Sequence, residues 1–115
     1  MKTTRSLTLT EARLRAYSRR GNFHSDPDEA RRIGLPGLVA QGMQVAGPAY
    51  GVALDAWGED FLAHGMIDLK FVGMVTEDET VDAVVDLDDD DGVVVVTKHG
   101  GGAVVVVGTM KRRTG

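Results

Sequence analysis

The sequence predicts an α+β fold in which one antiparallel sheet wraps a single long central helix. Three observations predict it. The run from Leu38 to about Trp57 carries no charge before Asp55, so a helix there is apolar nearly all round and has to be covered. After residue 65 the period changes. Runs rich in β-branched residues follow, "MIDLKFVGMVT", "ETVDAVVDLD", "GVVVVTKHG" and "AVVVVGTMK", and each reads as a strand. The stretches between the later runs, "DDDDG" and "HGGG", are turn chemistry, with Asp91-Gly92 the strongest pair, so the strands follow one another as hairpins. Helices first and a meander afterwards is a two-layer arrangement.

Residues 1–7 read as a flexible tail. "TLTEARLRAYSRRG" reads as a short helix: Thr10 is its N-cap, Glu11 suits the positive helix start, and Leu14 and Tyr17 share a face. Arg19, Arg20 and Gly21 close it. "HSDPDEARRIG" reads as a second, shorter helix. Asp26 caps it, Pro27 takes the first helical position and Glu29 completes a capping box. Gly34 ends it, and Pro36 keeps Leu35 extended. In the long helix, Gly42, Gly47 and Gly51 each cost about 1 kcal/mol relative to alanine, which makes sense where a sheet approaches closely. Pro48 predicts a kink or a late helix start.

The valine runs 93–96 and 104–107 do not alternate with polar residues. One face of those strands can take the helix. The other needs cover or remains a sticky surface, a pressure towards a homodimer or larger homo-oligomer.

Composition excludes several function classes. The length of 115 residues is that of one domain, read as 1–115. A net charge of −4 gives a nucleic-acid partner no electrostatic footprint. The absence of cysteine removes disulfides, thiolate metal sites and cysteine nucleophiles together. No stretch approaches the roughly 20 apolar residues of a membrane span, and the N-terminus has no signal-peptide core, so no membrane partner and a cytoplasmic location are expected. The acid run 86–91 fails as a calcium loop: with Gly92 at the sixth position, Leu87 would stand first and Lys98 twelfth.

One stretch carries chemistry: "FHSDPDEARRIGLPGLVAQGM", residues 23–43. It resembles the signature of the MaoC-like dehydratases, the (R)-specific enoyl-CoA hydratase group. There a histidine precedes a D-P-x-x-A helix, a glycine-containing loop and an (I/V)-A-(H/Q)-G-M helix start. His24, Asp26, Pro27, Ala30, Gly34, Val39, Ala40, Gln41, Gly42 and Met43 fall in place. "IDLKFVGMVTEDETV" is similar to the family's strand and the turn after it. The resemblance covers roughly residues 8–87 and is strongest over 23–43. It implies a hotdog fold and reversible addition of water to a 2-enoyl thioester, on coenzyme A or an acyl carrier protein. It also implies a tunnel for the acyl chain between subunits, with no metal or redox cofactor.

In that family an aspartate five residues before the histidine shares the water, in a pattern like G-D-x-N-P-x-H. This sequence departs from the pattern. It reads "SRRGNFH", with Arg19 five residues before His24 and no acid between Glu11 and His24. Asn22 stands nearby. An asparagine can hold a water but cannot take its proton. The loss of a general base is worth about 10²–10⁴-fold in rate.

The candidate catalytic residues are therefore His24 as acid and base, Asn22 to hold water or substrate, and Gly42, whose amide the resemblance places at the thioester oxygen. Each has a plainer reading. Asn22 after a glycine is ordinary turn chemistry, Gly42 also suits close helix–sheet packing, and Asp26 is accounted for by its cap. Gln41, Tyr17 and Phe71 are the candidate substrate-lining residues. His64 and His99 are expected to be ordinary. The alternative to a hydratase or dehydratase is a catalytically degenerate subunit that binds an acyl chain or supports a partner subunit. A thioesterase would need an acid well placed on the central helix, where Asp55 lies at the wrong end.

Overall fold

The computed structural model describes residues 1–17, 27–32, 38–40 and 42–112, without the side chains of 15–17, 27, 29, 30, 42 and 43. The elements are β1 (Lys2–Thr8), α1 (Glu11–Tyr17), α2 (Pro27–Arg32), α3 (Gly42–Val45), α4 (Gly47–Trp57), α5 (Glu59–His64), β2 (Gly65–Phe71), β3 (Thr80–Leu87), β4 (Asp91–Lys98) and β5 (Val104–Arg112). The strands form one antiparallel sheet in the order β1-β3-β4-β5-β2, which leaves β1 and β2 at its edges.

Residues directly opposite in an antiparallel ladder share a face. One face thus carries Leu7, Val81, Ala83, Val85, Leu87, Val94, Val96, Val106 and Met110. Apart from half-buried Leu7 these are buried, and they pack with Val45, Ala49, Val52, Ala53 and Trp57 of the helices. α4 buries Ala49, Val52, Ala53 and Trp57 but leaves Leu54 38% exposed, so the helix has an outer side after all. In β4 exposure alternates: Val94 and Val96 are fully buried while Val93 is 55% exposed. The helix layer covers only one face of the valine-rich strands.

Four expectations are corrected. Residues 2–7 are not a tail: with Thr8 they form edge strand β1, paired rung for rung from Lys2 opposite Asp86 to Thr8 opposite Thr80. An edge strand needs few apolar residues, and the threonines of "KTTRSLT" supply β-branched side chains instead. The long helix does not begin at Leu38. Leu38–Ala40 is extended, and the helix is interrupted at Ala46 before α4 starts with Pro48 in its first turn. The predicted proline effect accounts for that break. The first hairpin reverses over residues 88–90, with Gly92 already in β4 opposite Leu87, so Asp91-Gly92 is not the turn pair. No sheet residue approaches Gly47, whereas Gly51 lies over the Arg5 side chain of β1.

Other local signals hold. The Arg13 N–H donates to Thr10 Oγ1 at 3.2 Å, the N-cap bond expected of Thr10. Pro27 opens α2; the Asp26 cap falls outside the described residues. At the second hairpin Gly100 and Gly101 have φ of 80° and 76°, a conformation other residues rarely adopt. Among the described residues no helix is long and apolar enough to cross a membrane.

Candidate functional site

Gly42 opens α3, directly after a segment that is held on both sides. Ala40 N–H donates to the Val75 carbonyl and Glu77 N–H to the Leu38 carbonyl, each at 2.8 Å, and Val39 bridges Thr76. This short ladder fixes where the chain turns into α3. From the other side Gln44 Nε2 donates to the Arg13 carbonyl at 3.0 Å and ties α3 to α1. The first N–H groups of a helix have no partner within it, so α3 offers donors next to this ladder.

A groove of about 360 Å³ runs beside this segment. It is lined by Val39, Ala40 and Val45, which flank Gly42 in the chain, by Phe71, Val72, Gly73, Met74 and Val75 of the stretch after β2, and by Val106 of β5. Phe71, Val72 and Met74 are 46%, 52% and 47% exposed, so the rim itself is apolar. A β-bulge shapes the stretch after β2. Val105 has no partner on β4, because Val106 pairs with Val96 and Val104 with Thr97. Its carbonyl accepts from Val72 N–H at 2.9 Å and from Gly73 N–H at 3.3 Å, which turns the chain after β2 along the groove.

The turn 76–79 anchors the far end. Glu79 Oε1 accepts from Thr76 N–H at 2.9 Å and Thr76 Oγ1 at 2.7 Å, and Lys98 Nζ lies 2.9 Å from Glu79 Oε2. Burial alone would raise the Glu79 carboxyl. The Thr76 hydrogen bonds and the Lys98 ammonium outweigh it and hold the group below its ordinary value. Asp78, with φ of 65°, then turns the chain away, and its N–H donates to the Leu9 carbonyl at 2.7 Å. One turn thus holds both the chain leaving β1 for α1 and the chain arriving at α3.

Of the residues singled out from sequence, Phe71 lines this groove, and Gly42 stands in the chain between Ala40 and Val45, which line it. Tyr17 ends α1, and its side chain is outside the described residues. His24, Asn22 and Gln41 also lie outside the described residues. His64 ends α5. His99 Nδ1 stands 3.0 Å from the Asp82 carboxylate, which also accepts from Ser6 Oγ at 2.5 Å. The hydrogen bonds from Ser6 and His99 lower the Asp82 carboxyl. The carboxylate sits between the hydroxyl and the imidazole, so the trio lacks the hydroxyl–imidazole contact that activates a serine. Among the described residues no cluster of acids and histidines could hold a metal ion.

Sequence reasoning singled out Phe71 and the strand-and-turn stretch that holds it, but not Val72, Met74 and Val75 as groove lining, nor the bonds that set the turn. A signal for the turn was present: Thr76 and Glu79 have the S/T-x-x-E spacing of a capping box, here closing a turn between strands. The bulge at Val105 had none, because a run of identical valines hides an extra residue.

Comparison with known proteins gives this arrangement a context. The family described as "MaoC like domain" matches residues 1–109. No curated protein matches the sequence. Among solved structures, the (R)-hydratase from A. caviae involved in PHA biosynthesis is 19% identical with a TM-score of 0.74, over 98% of this chain and 95% of that one. The R-hydratase PhaJ1 from Pseudomonas aeruginosa is 15% identical with a TM-score of 0.76, over 100% and 81%. A chain of the HadBC (3R-hydroxyacyl-ACP dehydratase) complex from Mycobacterium tuberculosis is 16% identical with a TM-score of 0.73, over 97% and 93%. At such identities the likeness is one of fold, the hotdog sheet packed around its helix.

Proposed function

The chain belongs to the MaoC-like domain family, and from that premise we propose that it adds water to, or removes it to form, the double bond of a 2-enoyl thioester on coenzyme A or an acyl carrier protein. The observation that carries the reading is the apolar groove lined by the chain on either side of Gly42. An acyl tail has an apolar path beside the segment that leads into α3, and the Gly42 amide at the start of α3 would receive the thioester oxygen.

The residues suffice for the chemistry. Asn22 holds a water, and His24 takes one of its protons as the oxygen bonds to C3 of the enoyl group. The electron pair of the double bond moves onto the thioester oxygen, which the Gly42 N–H receives. The protonated His24 then returns the proton to C2, and the oxygen's charge collapses back. One imidazole serves as base and then as acid, so no carboxylate is needed to balance the step. Gln41, Tyr17 and Phe71 line the substrate. The missing aspartate is consistent with a slower reaction or with a related proton transfer on a polyketide-like substrate.

A homodimer is supported by edge strand β2. Two copies aligned antiparallel about Leu69 would set Asp68 opposite Lys70 and Ile67 opposite Phe71 of the second copy. Charge would meet charge and apolar side chain would meet apolar side chain. The rival reading is a degenerate subunit supporting an unlike partner. It is favoured by the absence of an acid between Glu11 and His24; a heteromeric arrangement is known for the HadBC complex.

The test is incubation of the purified protein with a short 2-enoyl-CoA, following loss of the conjugated absorbance and appearance of the 3-hydroxyacyl product. Product formed by the protein alone supports the reading. No product over a series of chain lengths, from a protein that elutes only with another subunit, supports the rival.

A further inference from the structure

We propose that Glu77 is a positioning residue for this reaction, setting the approach of the chain to Gly42 through a bond that a regular ladder would make with main chain. The inference rests on the reading that the Gly42 amide receives the thioester oxygen.

Val39 and Thr76 face each other as a widely spaced pair of the antiparallel ladder, flanked by the bonds from Ala40 N–H to the Val75 carbonyl and from Glu77 N–H to the Leu38 carbonyl. The return rung of an antiparallel pair would be Leu38 N–H to the Glu77 carbonyl. That rung is replaced. Leu38 N–H donates to the Glu77 side chain, Oε1, at 2.9 Å. Because the carboxylate stands in for the carbonyl, the main chain is released at this point to turn through Asp78, at φ 65°, towards Leu9. Leu38 is fully buried, so its N–H would otherwise lack a partner and no water would replace it. One side chain thus lets the turn leave for β3 while Leu38–Ala40 stays pinned, two residues before Gly42. An amide that shifts by about 1 Å loses up to about 10²-fold in rate.

The experiment compares wild type, Glu77→Ala and Glu77→Gln by amide hydrogen exchange and by steady-state hydration of a short 2-enoyl-CoA. Glutamine keeps a side-chain oxygen acceptor for Leu38 N–H; alanine removes it. For Glu77→Ala the expected result is faster exchange confined to residues 38–42, with β4 and β5 unchanged. Its kcat should fall about 10-fold or more with KM within about twofold. Glu77→Gln is expected to restore both. Unchanged exchange at 38–42, unchanged kcat despite faster exchange, or faster exchange throughout the sheet overturns the assignment. An inactive wild type removes the hydratase reading and the positioning role with it, whereas an active wild type matched by the alanine variant removes Glu77 alone.

Discussion

Arg5 on β1 donates to Asp55 on α4 through Nη2 and Oδ2 at 2.5 Å, joining the outermost strand of the sheet to the helix it wraps. The pair is largely open to solvent, at 41% and 70% exposure, so its own contribution is small. Asp55→Ala is expected to cost no more than about 1 kcal/mol in urea unfolding. Deleting residues 1–8 removes a whole edge strand and uncovers the fully buried Val81 and Val85. That variant should fail to give a cooperative urea transition. A normal transition would show that β1 is dispensable.

The groove predicts a preference for acyl length. Each methylene buried against Met74, Val72 and Val106 contributes about 0.8 kcal/mol, or roughly fourfold in kcat/KM, until the groove is full. Met74→Gln should flatten that rise while leaving the shortest substrate almost unchanged. Equal loss at every length would place Met74 outside the acyl path.

Self-association through β2 predicts a charge-swap pattern. Asp68→Lys and Lys70→Asp each set like charges opposite in the antiparallel pairing about Leu69, and each should weaken the dimer in sedimentation equilibrium. The double variant should recover most of the loss, because both contacts are restored with reversed sign. Additive losses would assign a different interface.

Glu79 predicts an acid dependence of stability. Its carboxyl is held below the ordinary value, so the folded state favours the ionised form. The resulting stabilisation is present above the unfolded value of about 4.3 and is lost as pH falls through the lower folded value. Glu79→Gln should therefore be less stable than wild type at neutral pH, with the gap closing below about pH 4. A gap independent of pH would mean that the Thr76 hydrogen bonds act without the charge.

Much of the sheet was legible because its inner strands announce themselves: β3, β4 and β5 have β-branched runs with turn residues between. β1 was not, since an edge strand buries one face only, and Lys2, Thr3, Thr4, Arg5 and Ser6 read as a polar tail. The central helix was legible in its apolar character and in Pro48, but not in its start, because Leu38–Ala40 is as apolar as the helix and is extended only through bonds to Val75 and Glu77. The same limit applies to the site. Gly42 and Phe71 belong to motifs contiguous in sequence, whereas the groove is made by stretches some 30 residues apart. What joins them is two main-chain bonds, Ala40 to Val75 and Glu77 to Leu38, and the Glu77 side chain on Leu38 N–H, and no local pattern announces those.

In the proposed hydration one imidazole, His24, carries both proton transfers. The most direct measurement of this is kcat for water addition to a short 2-enoyl-CoA by wild type and by His24→Ala, each verified as folded. The account predicts activity in wild type and a loss of at least about 10²-fold in the variant. Equal rates in the two proteins would contradict it.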